Sequence, residues 1–469
     1  MKLSSDELAR EFSQVHDFSG VIRCISWHPK QHKVALALVN DNVYIYSSNL
    51  LTPLLKHPVQ KKVTGLCWNT RNENVLAVAC EKVIILWNVD PEEKTPRLPL
   101  TYAEVIKTNL VAPITCIQFD NVGDWLTVCS PNSSRLLLLN RKKKKIEKGR
   151  LTTPAQMNLN EKRIDQFPKF FAQPGGHLQH HQTVGQQQPQ PSMDNLDKSV
   201  RFFGAGVTKF VYSPDYTRVC VGSTRFGIRV YETVTWTYRS WAKDVGAIFQ
   251  TGCWSQPTGR IFLFSLKSKP VVYAIIFYDQ ALPNDVGGTS SCIRVLDVSE
   301  ARVARGKVGG VIQDMRWDQN AERLVIMFKD NPAYIAVYKT ITKPNLEISP
   351  IGFIHGLPNE IPLCIDFHLA FKSGSLLTVC WNTGYVSHIP LQYTPNSKKS
   401  KSALAEQPSS PRSLTSFCMS SPANEQSFHW ASPENSFSNI IKRFRNQDSI
   451  LSPRRPVLFS SFGEEKKAS

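Results

Sequence analysis

An all-β fold closed into a seven-bladed propeller is what this sequence predicts, and three observations carry that prediction. A short apolar strand ending in an aromatic residue recurs seven times, each recurrence is followed by two further apolar strands, and the aromatic stands at a nearly constant distance from the third strand. Such units cannot bury both faces alone, so each must pack on its neighbours.

The first four copies read VIRCISW ending at Trp27, KVTGLCW at Trp68, PITCIQF at Phe119 and GVTKFVY at Tyr212. Three more follow: FQTGCW at Trp254, VIQDMRW at Trp317 and PLCIDF at Phe367. These seven aromatics are the expected blade-core anchors, and polar turn residues such as His28-Pro29 and Ser213-Pro214-Asp215 succeed them. The later strands are β-branched and apolar, as in VALALV then VYIY, or VLAVAC then VIILW. Tyr46, Trp87, Leu138 and Tyr231 all fall 19 residues after their anchors, and Tyr338 falls at 21. Units of about 40 to 45 residues with several short strands point to a WD40-type β-propeller, against an open array of β-sandwiches whose units would share no offset. The usual Gly-His and Trp-Asp signatures are absent, and Trp87-Asn88 is the nearest match, so the repeat is degenerate.

Before the ring, residues 1–19 are read as a short helix and a latch. Ser4 with Glu7 makes a capping-box pattern, and Leu8, Phe12 and Val15 share one helical face. The residues up to Phe18 are available as an outer strand for the last blade. The propeller is assigned to residues 20–393, interrupted by a disordered insert at about 150–198. There the anchor spacing jumps to 93 residues, through a Gln- and His-rich tract holding His177, His180 and His181. Metal ligation by these histidines and a solvated loop are the two readings, the latter favoured by the lack of Cys or carboxylate in the tract. Arg141 to Lys145 are five consecutive cations, compatible with nuclear targeting or with a solvated loop tip. Deleting residues 150–198 is expected to leave the melting temperature almost unchanged, because such a loop contributes little beyond closure entropy.

Residues 394–469 form a Ser/Pro/Lys-rich tail expected to be disordered. Its four Ser-Pro dipeptides, at Ser410, Ser421, Ser432 and Ser452, are candidate phosphorylation sites. Within 434–446, Phe437, Ile440, Ile441 and Phe444 are spaced i, i+3, i+4, i+7 beside Lys442, Arg443 and Arg445. This reads either as a basic amphipathic helix for a partner groove or anionic membrane surface, or as a chance pattern.

Composition bounds the function. Of 469 residues 41% are apolar and 20% charged, the make-up of a folded protein, and no run approaches the ~20 apolar residues of a membrane span. No apolar h-region follows Met1, which predicts an intracellular chain. The eleven cysteines include no C-x-x-C pair; Cys24, Cys67, Cys80, Cys116, Cys129 and Cys380 lie in apolar runs and read as small core hydrophobes in a reducing compartment. The net charge is +18, but residues 141–200 carry 11 Lys/Arg against 5 Asp/Glu and residues 394–469 carry 11 against 6. The ring is left mildly basic, so no nucleic-acid groove is indicated, and the aromatics are committed to blade cores. No nucleophile elbow, Walker loop, H-E-x-x-H or G-x-G-x-x-G occurs, and His28, His57, His355, His368 and His388 sit in turns or at strand ends as structural residues. No catalytic group, cofactor, metal or small-molecule substrate is expected.

The run Leu3-Ser4-Ser5-Asp6-Glu7-Leu8-Ala9-Arg10-Glu11-Phe12, then Trp27-His28-Pro29, then Leu76 to Cys80 before Leu86-Trp87, resembles the aladin family of WD-repeat nucleoporins. So do Thr251-Gly252-Cys253-Trp254-Ser255 with Gly259-Arg260, and the closing Gly384 to Leu391. The similarity spans about residues 3 to 393 without the insert. It implies a non-catalytic scaffold of the nuclear pore complex at the nuclear envelope, held there by a transmembrane nucleoporin and supporting nucleocytoplasmic transport, with a further role at spindle poles. Family members carry a region before the equivalent of Leu3, and the insert and tail have no counterpart in them. The alternatives are a propeller subunit of another assembly, such as a ubiquitin-ligase substrate receptor or an RNA-processing complex, and a hydrolase built on a propeller.

Overall fold

The computed structural model describes residues 16–17, 20–47, 50–51, 54–89, 97–140, 198–201, 206–223, 227–241, 248–278, 286–303, 306–369, 371, 374–393 and 458–460. The expected helices at 4–15 and 434–446, the side chains of Phe437, Ile440, Ile441 and Phe444, and Ser410, Ser421, Ser432 and Ser452 lie outside the described residues.

Seven antiparallel sheets follow one another along the chain, each with its first three strands consecutive and in meander order. Their inner strands are Ile22–Trp27, Gly65–Trp68, Cys116–Phe119, Val207–Tyr212, Phe249–Trp254, Ile312–Trp317 and Pro362–Phe367. Each inner strand touches the inner strands of both neighbouring blades, the seventh meeting the first, so the sheets close into a ring. The second strands, such as Lys33–Leu38 and Gly374–Trp381, are buried along their whole length because blades cover both faces. Among the described residues the one helix is the 3-10 turn Leu100–Tyr102, and no helix is long and apolar enough to cross a membrane.

The repeat has a structural counterpart in strand register. Trp27, Val34 and Tyr46 stand side by side across three strands, as do Trp68, Leu76 and Trp87, or Tyr212, Val219 and Tyr231. In blade three the row is Phe119, Leu126 and Leu139, so Leu138, chosen by its offset of 19, is one residue out of line. One extra residue in the turn after Cys129 shifts the register, and in a strand that moves a side chain to the opposite face. A β-bulge recurs on the inner strands between the residues five and three before the anchor, at Ile22/Cys24, Val207/Lys209, Phe249/Thr251, Ile312/Asp314 and Pro362/Cys364. Bulges re-aim a side chain, and the same irregularity in five blades shows that inner-strand aim is set at one place in the repeat.

Ring closure uses the chain start. His16–Asp17 pairs with Tyr385 and Val386 as the outer strand of the seventh blade, next to the strand Tyr385–Gln392. The chain's far end also joins a blade, which the sequence reading did not anticipate: Leu458–Ser460 pairs with Phe353–His355 as a fifth strand on blade six. A hairpin, Ala301–Val303 with Gly306–Val308, stands between blades five and six. The insert falls inside blade three rather than after it, because Lys198–Arg201 pairs with Arg135–Leu138 as that blade's outer strand. The deletion that tests the insert's contribution therefore stops at residue 197, and calorimetry is expected to show an almost unchanged melting temperature.

Candidate functional site

A ring of this kind works through its surface, so the candidate site begins with the groups that hold that surface in shape. The seven anchors Trp27, Trp68, Phe119, Tyr212, Trp254, Trp317 and Phe367 are all buried. Aromatic residues with a polar tip suit this position because they fill the core and still make a hydrogen bond. Trp68 Nε1 donates to the Ser26 carbonyl of blade one at 3.1 Å, and Trp254 Nε1 donates to Val211 of blade four at 3.0 Å. Trp27 Nε1 donates to Thr378 Oγ1 of blade seven at 2.9 Å, and the Tyr212 hydroxyl meets Thr127 Oγ1 of blade three at 2.9 Å. Each tie runs to the preceding blade. Trp317 differs, donating to Thr340 Oγ1 of its own blade at 2.9 Å.

The residue after each anchor is polar in every blade: His28, Asn69, Asp120, Ser213, Ser255, Asp318 and His368. In six of the blades its side chain accepts backbone N–H bonds from the following turn. His28 Nδ1 accepts from Gln31 at 2.8 Å, Asn69 Oδ1 from Asn72 at 2.7 Å and Asp120 Oδ1 from Trp125 at 3.1 Å. Ser213 Oγ accepts from Arg218 at 2.9 Å, Ser255 Oγ from Ile261 at 3.0 Å and Asp318 Oδ1 from Glu322 at 2.7 Å. These side chains fix the turns on one rim, as short polar residues do when they satisfy a turn's orphan donors.

The seam between blades seven and one is rich in imidazole. His32 Nδ1 and His368 Nε2 are 2.8 Å apart, the Trp27 ring lies 4.4 Å from that of His368, and Thr378 Oγ1 also meets His388 Nδ1 at 2.9 Å. At the next seam the His28 ring packs edge-on to Trp68 at 5.1 Å, with Lys33 Nζ 4.7 Å from that indole. Burial pushes His368 down to about 3, reinforced by His32, and burial pushes His28 down to about 4, reinforced by Lys33. Both rings are therefore neutral at pH 7 and serve as hydrogen-bonding and packing groups.

The inner strands also bring charges together across four blades. Asp314 of blade six receives Arg316 Nη1 at 2.9 Å, a hydrogen bond from Thr251 Oγ1 of blade five, and Lys209 Nζ of blade four at 3.9 Å. Arg316 Nε lies 3.7 Å from Asp366 of blade seven. Burial pushes the Asp314 carboxyl up, but Arg316 and Lys209 outweigh it and hold it below its ordinary value. For Asp366 burial wins over the more distant Arg316, and the carboxyl is pushed up to about 6. Replacing Arg316 by Met leaves the two carboxylates without their shared cation. Because the side chains are 22–32% exposed, the expected loss is about 2 kcal/mol rather than the ~3–5 kcal/mol of a fully buried pair, read as a lower urea midpoint. An added Asp314→Asn is expected to restore part of it.

Of the cysteines, Cys80, Cys129, Cys220 and Cys380 are buried, whereas Cys24, Cys67, Cys116, Cys253 and Cys364 are half-buried on inner strands. Cys80, Cys129 and Cys380 are core residues, and Cys24, Cys67 and Cys116, one or three residues before an anchor, are partly buried and pack against the same hydrophobic clusters, as the sequence reading expects. The two best-formed depressions among the described residues are small and open, about 290 Å³ lined by Lys56, His57, Lys61 and Arg97 among others, and about 390 Å³ beside Trp87 and Tyr102. Both fall at the low end for ligand pockets. Among the described residues no group of three or more His, Cys, Asp or Glu is placed to hold a metal ion.

No protein-family model matches the chain. Among curated proteins it is similar to Aladin of Arabidopsis thaliana, 31% identical over 168 residues. Over those residues the chain resembles Aladin, and its fold is that of a WD40-type propeller. The match covers 34% of this chain and 36% of that relative, so the chain spans about a third of the length of the curated protein it matches. Among solved structures it is similar to the β-propeller domain of Cps50 (Swd1) from Myceliophteria thermophila, with a TM-score of 0.50, 14% identity, and 80% of this chain and 98% of that one covered. It is also similar to a chain of the Mitotic Checkpoint Complex, with a TM-score of 0.54, 10% identity, and 84% and 98% covered. At these identities the structural likeness speaks to the propeller fold alone.

Proposed function

We propose that this aladin-like propeller is a non-catalytic scaffold of the nuclear pore complex, supporting nucleocytoplasmic transport and the organisation of pore and envelope, with a further role in spindle assembly. The observation that carries the reading is the sequence match to Aladin, joined to a ring whose polar side chains are spent on turns, seams and axis. A scaffold needs a surface that keeps its shape, and the anchors and turn-capping residues supply one in each blade. Binding energy at protein interfaces concentrates in a few aromatic and arginine side chains, so rim loops suffice for partner contact. The partners are proteins, among them a transmembrane nucleoporin that keeps the ring peripheral to the membrane, with no small-molecule substrate and no direct nucleic-acid contact.

The test is imaging of the full chain, tagged and expressed at native level. A punctate nuclear rim is expected. A diffuse nuclear signal would overturn the reading in favour of a propeller adaptor in another complex, and turnover in a substrate screen would favour a hydrolase.

A further inference from the structure

Two pairs of cysteines stand directly opposite one another across neighbouring strands: Cys116 with Cys129 in blade three, and Cys364 with Cys380 in blade seven. In both blades the first cysteine lies three residues before the anchor, Phe119 or Phe367, on the inner strand, and its partner lies on the second strand. Opposed residues of an antiparallel pair have Cα atoms about 4.5–5.5 Å apart and side chains on one face, which is inside the range a disulfide spans. The geometry alone makes both pairs linkable.

Their surroundings separate them. Cys116 is half-buried against the core between blades three and four, its thiol donates to the Phe210 carbonyl of blade four at 3.6 Å, and Thr115 Oγ1 lies 3.8 Å from Cys129 Sγ. The hydrogen bond from Cys129 pulls the Cys116 thiol down to about 7 against the effect of burial, helped by the positive charges of Lys209 and Arg316. Burial pushes Cys129 well up, so it stays a thiol beside its partner. In blade seven burial and Cys364 push Cys380 up, as burial does its counterpart Cys129. What sets blade three apart is the cations Lys209 and Arg316 beside Cys116, and a thiol held near cations is the reactive kind.

We propose that Cys116 and Cys129 are a peroxide-sensitive modification site, a cross-strand dithiol that closes reversibly into a disulfide between the inner and second strands of blade three. The Cys116 thiolate attacks one oxygen of hydrogen peroxide and the O–O bond breaks. The departing hydroxide takes up a proton as water and leaves a sulfenic acid at Cys116. Cys129 Sγ then displaces the sulfenic oxygen, which leaves as water with the Cys129 proton. Two thiols are oxidised and one peroxide is reduced to two waters. A low-molecular-weight thiol of the glutathione class reverses the step by exchange. Closure removes the Cys116 S–H that donates to Phe210, so it loosens one tie between blades three and four.

The experiment treats the folded full-length chain with hydrogen peroxide at pH 7.4, blocks remaining thiols, and maps linkage by mass spectrometry. Cys116 and Cys129 share the tryptic peptide 108–135, so cleavage before Asp120 is added to separate them. The expected result is a Cys116–Cys129 link, reversed by dithiothreitol and formed several-fold faster than any Cys364–Cys380 link. In Cys129→Ser, a dimedone adduct is expected at Cys116. The proposal fails if the wild-type chain keeps both thiols at doses that oxidise glutathione, or if blade seven links first. The rate comparison within wild-type protein stands whether or not the Ser variant folds.

Discussion

Replacing Trp254 by Ala lowers the stability of the ring by about 3–5 kcal/mol, the usual cost of emptying a large buried aromatic site. The indole is 4% exposed, its ring lies 4.6 Å from Phe262 and 5.3 Å from Phe277, and its N–H reaches the Val211 carbonyl of the preceding blade. The substitution therefore opens a cavity in blade five and also cuts a tie to blade four. Trp254→Phe separates these effects. It keeps most of the packing but leaves the Val211 carbonyl without the indole donor, and a loss of about 1–2 kcal/mol is expected. Chemical denaturation of both variants checks the pair. Equal losses would mean that the hydrogen bond carries the effect, and no loss in either would place Trp254 outside the core.

Acidification from pH 7 to pH 5 is expected to destabilise the protein by about 3 kcal/mol through three groups of opposite sign. His28 and His368 have folded values depressed to about 4 and about 3 from 6.5, so the unfolded chain takes up protons first. Their stabilising contribution is present above about 6.5 and is lost as pH falls, at roughly 1.4 kcal/mol per pH unit for each ring, or about 2 kcal/mol each at pH 5. Asp366 runs the other way. Its folded value is raised to about 6 from 3.8, so the folded chain takes up that proton first and gains about 1 kcal/mol by pH 5. The histidines win. Urea midpoints at the two pH values check the sum, and two variants check the parts. His368→Gln should remove about two thirds of the net loss, and Asp366→Asn should raise it to about 4 kcal/mol. A midpoint that rises on acidification would contradict the buried placement of both rings.

The anchors were legible because an aromatic at a strand end, followed by a polar turn residue, is a local pattern that survives without any Trp-Asp signature. Their rows across three strands were legible too, except in blade three, where one added turn residue puts Leu139 in the place expected for Leu138. The charges on the axis were not legible. Lys209, Asp314, Arg316 and Asp366 look like ordinary alternation within their own strands, and they meet only because the ring brings inner strands from three blades together. Leu458–Ser460 was hidden for another reason. Three residues in a Ser-, Pro- and Arg-rich stretch show no periodicity, and what recruits them is the open edge at Phe353–His355, far away in the chain.

The reading as a pore scaffold is tested most directly by cross-linking the tagged full-length chain in intact cells and identifying what is attached to its rim loops. The account predicts membrane-spanning and structural components of the nuclear pore, linked to lysines such as Lys56 and Lys61 on the ring. Recovery of ubiquitin-ligase or RNA-processing subunits at those positions, with pore components absent, would contradict it.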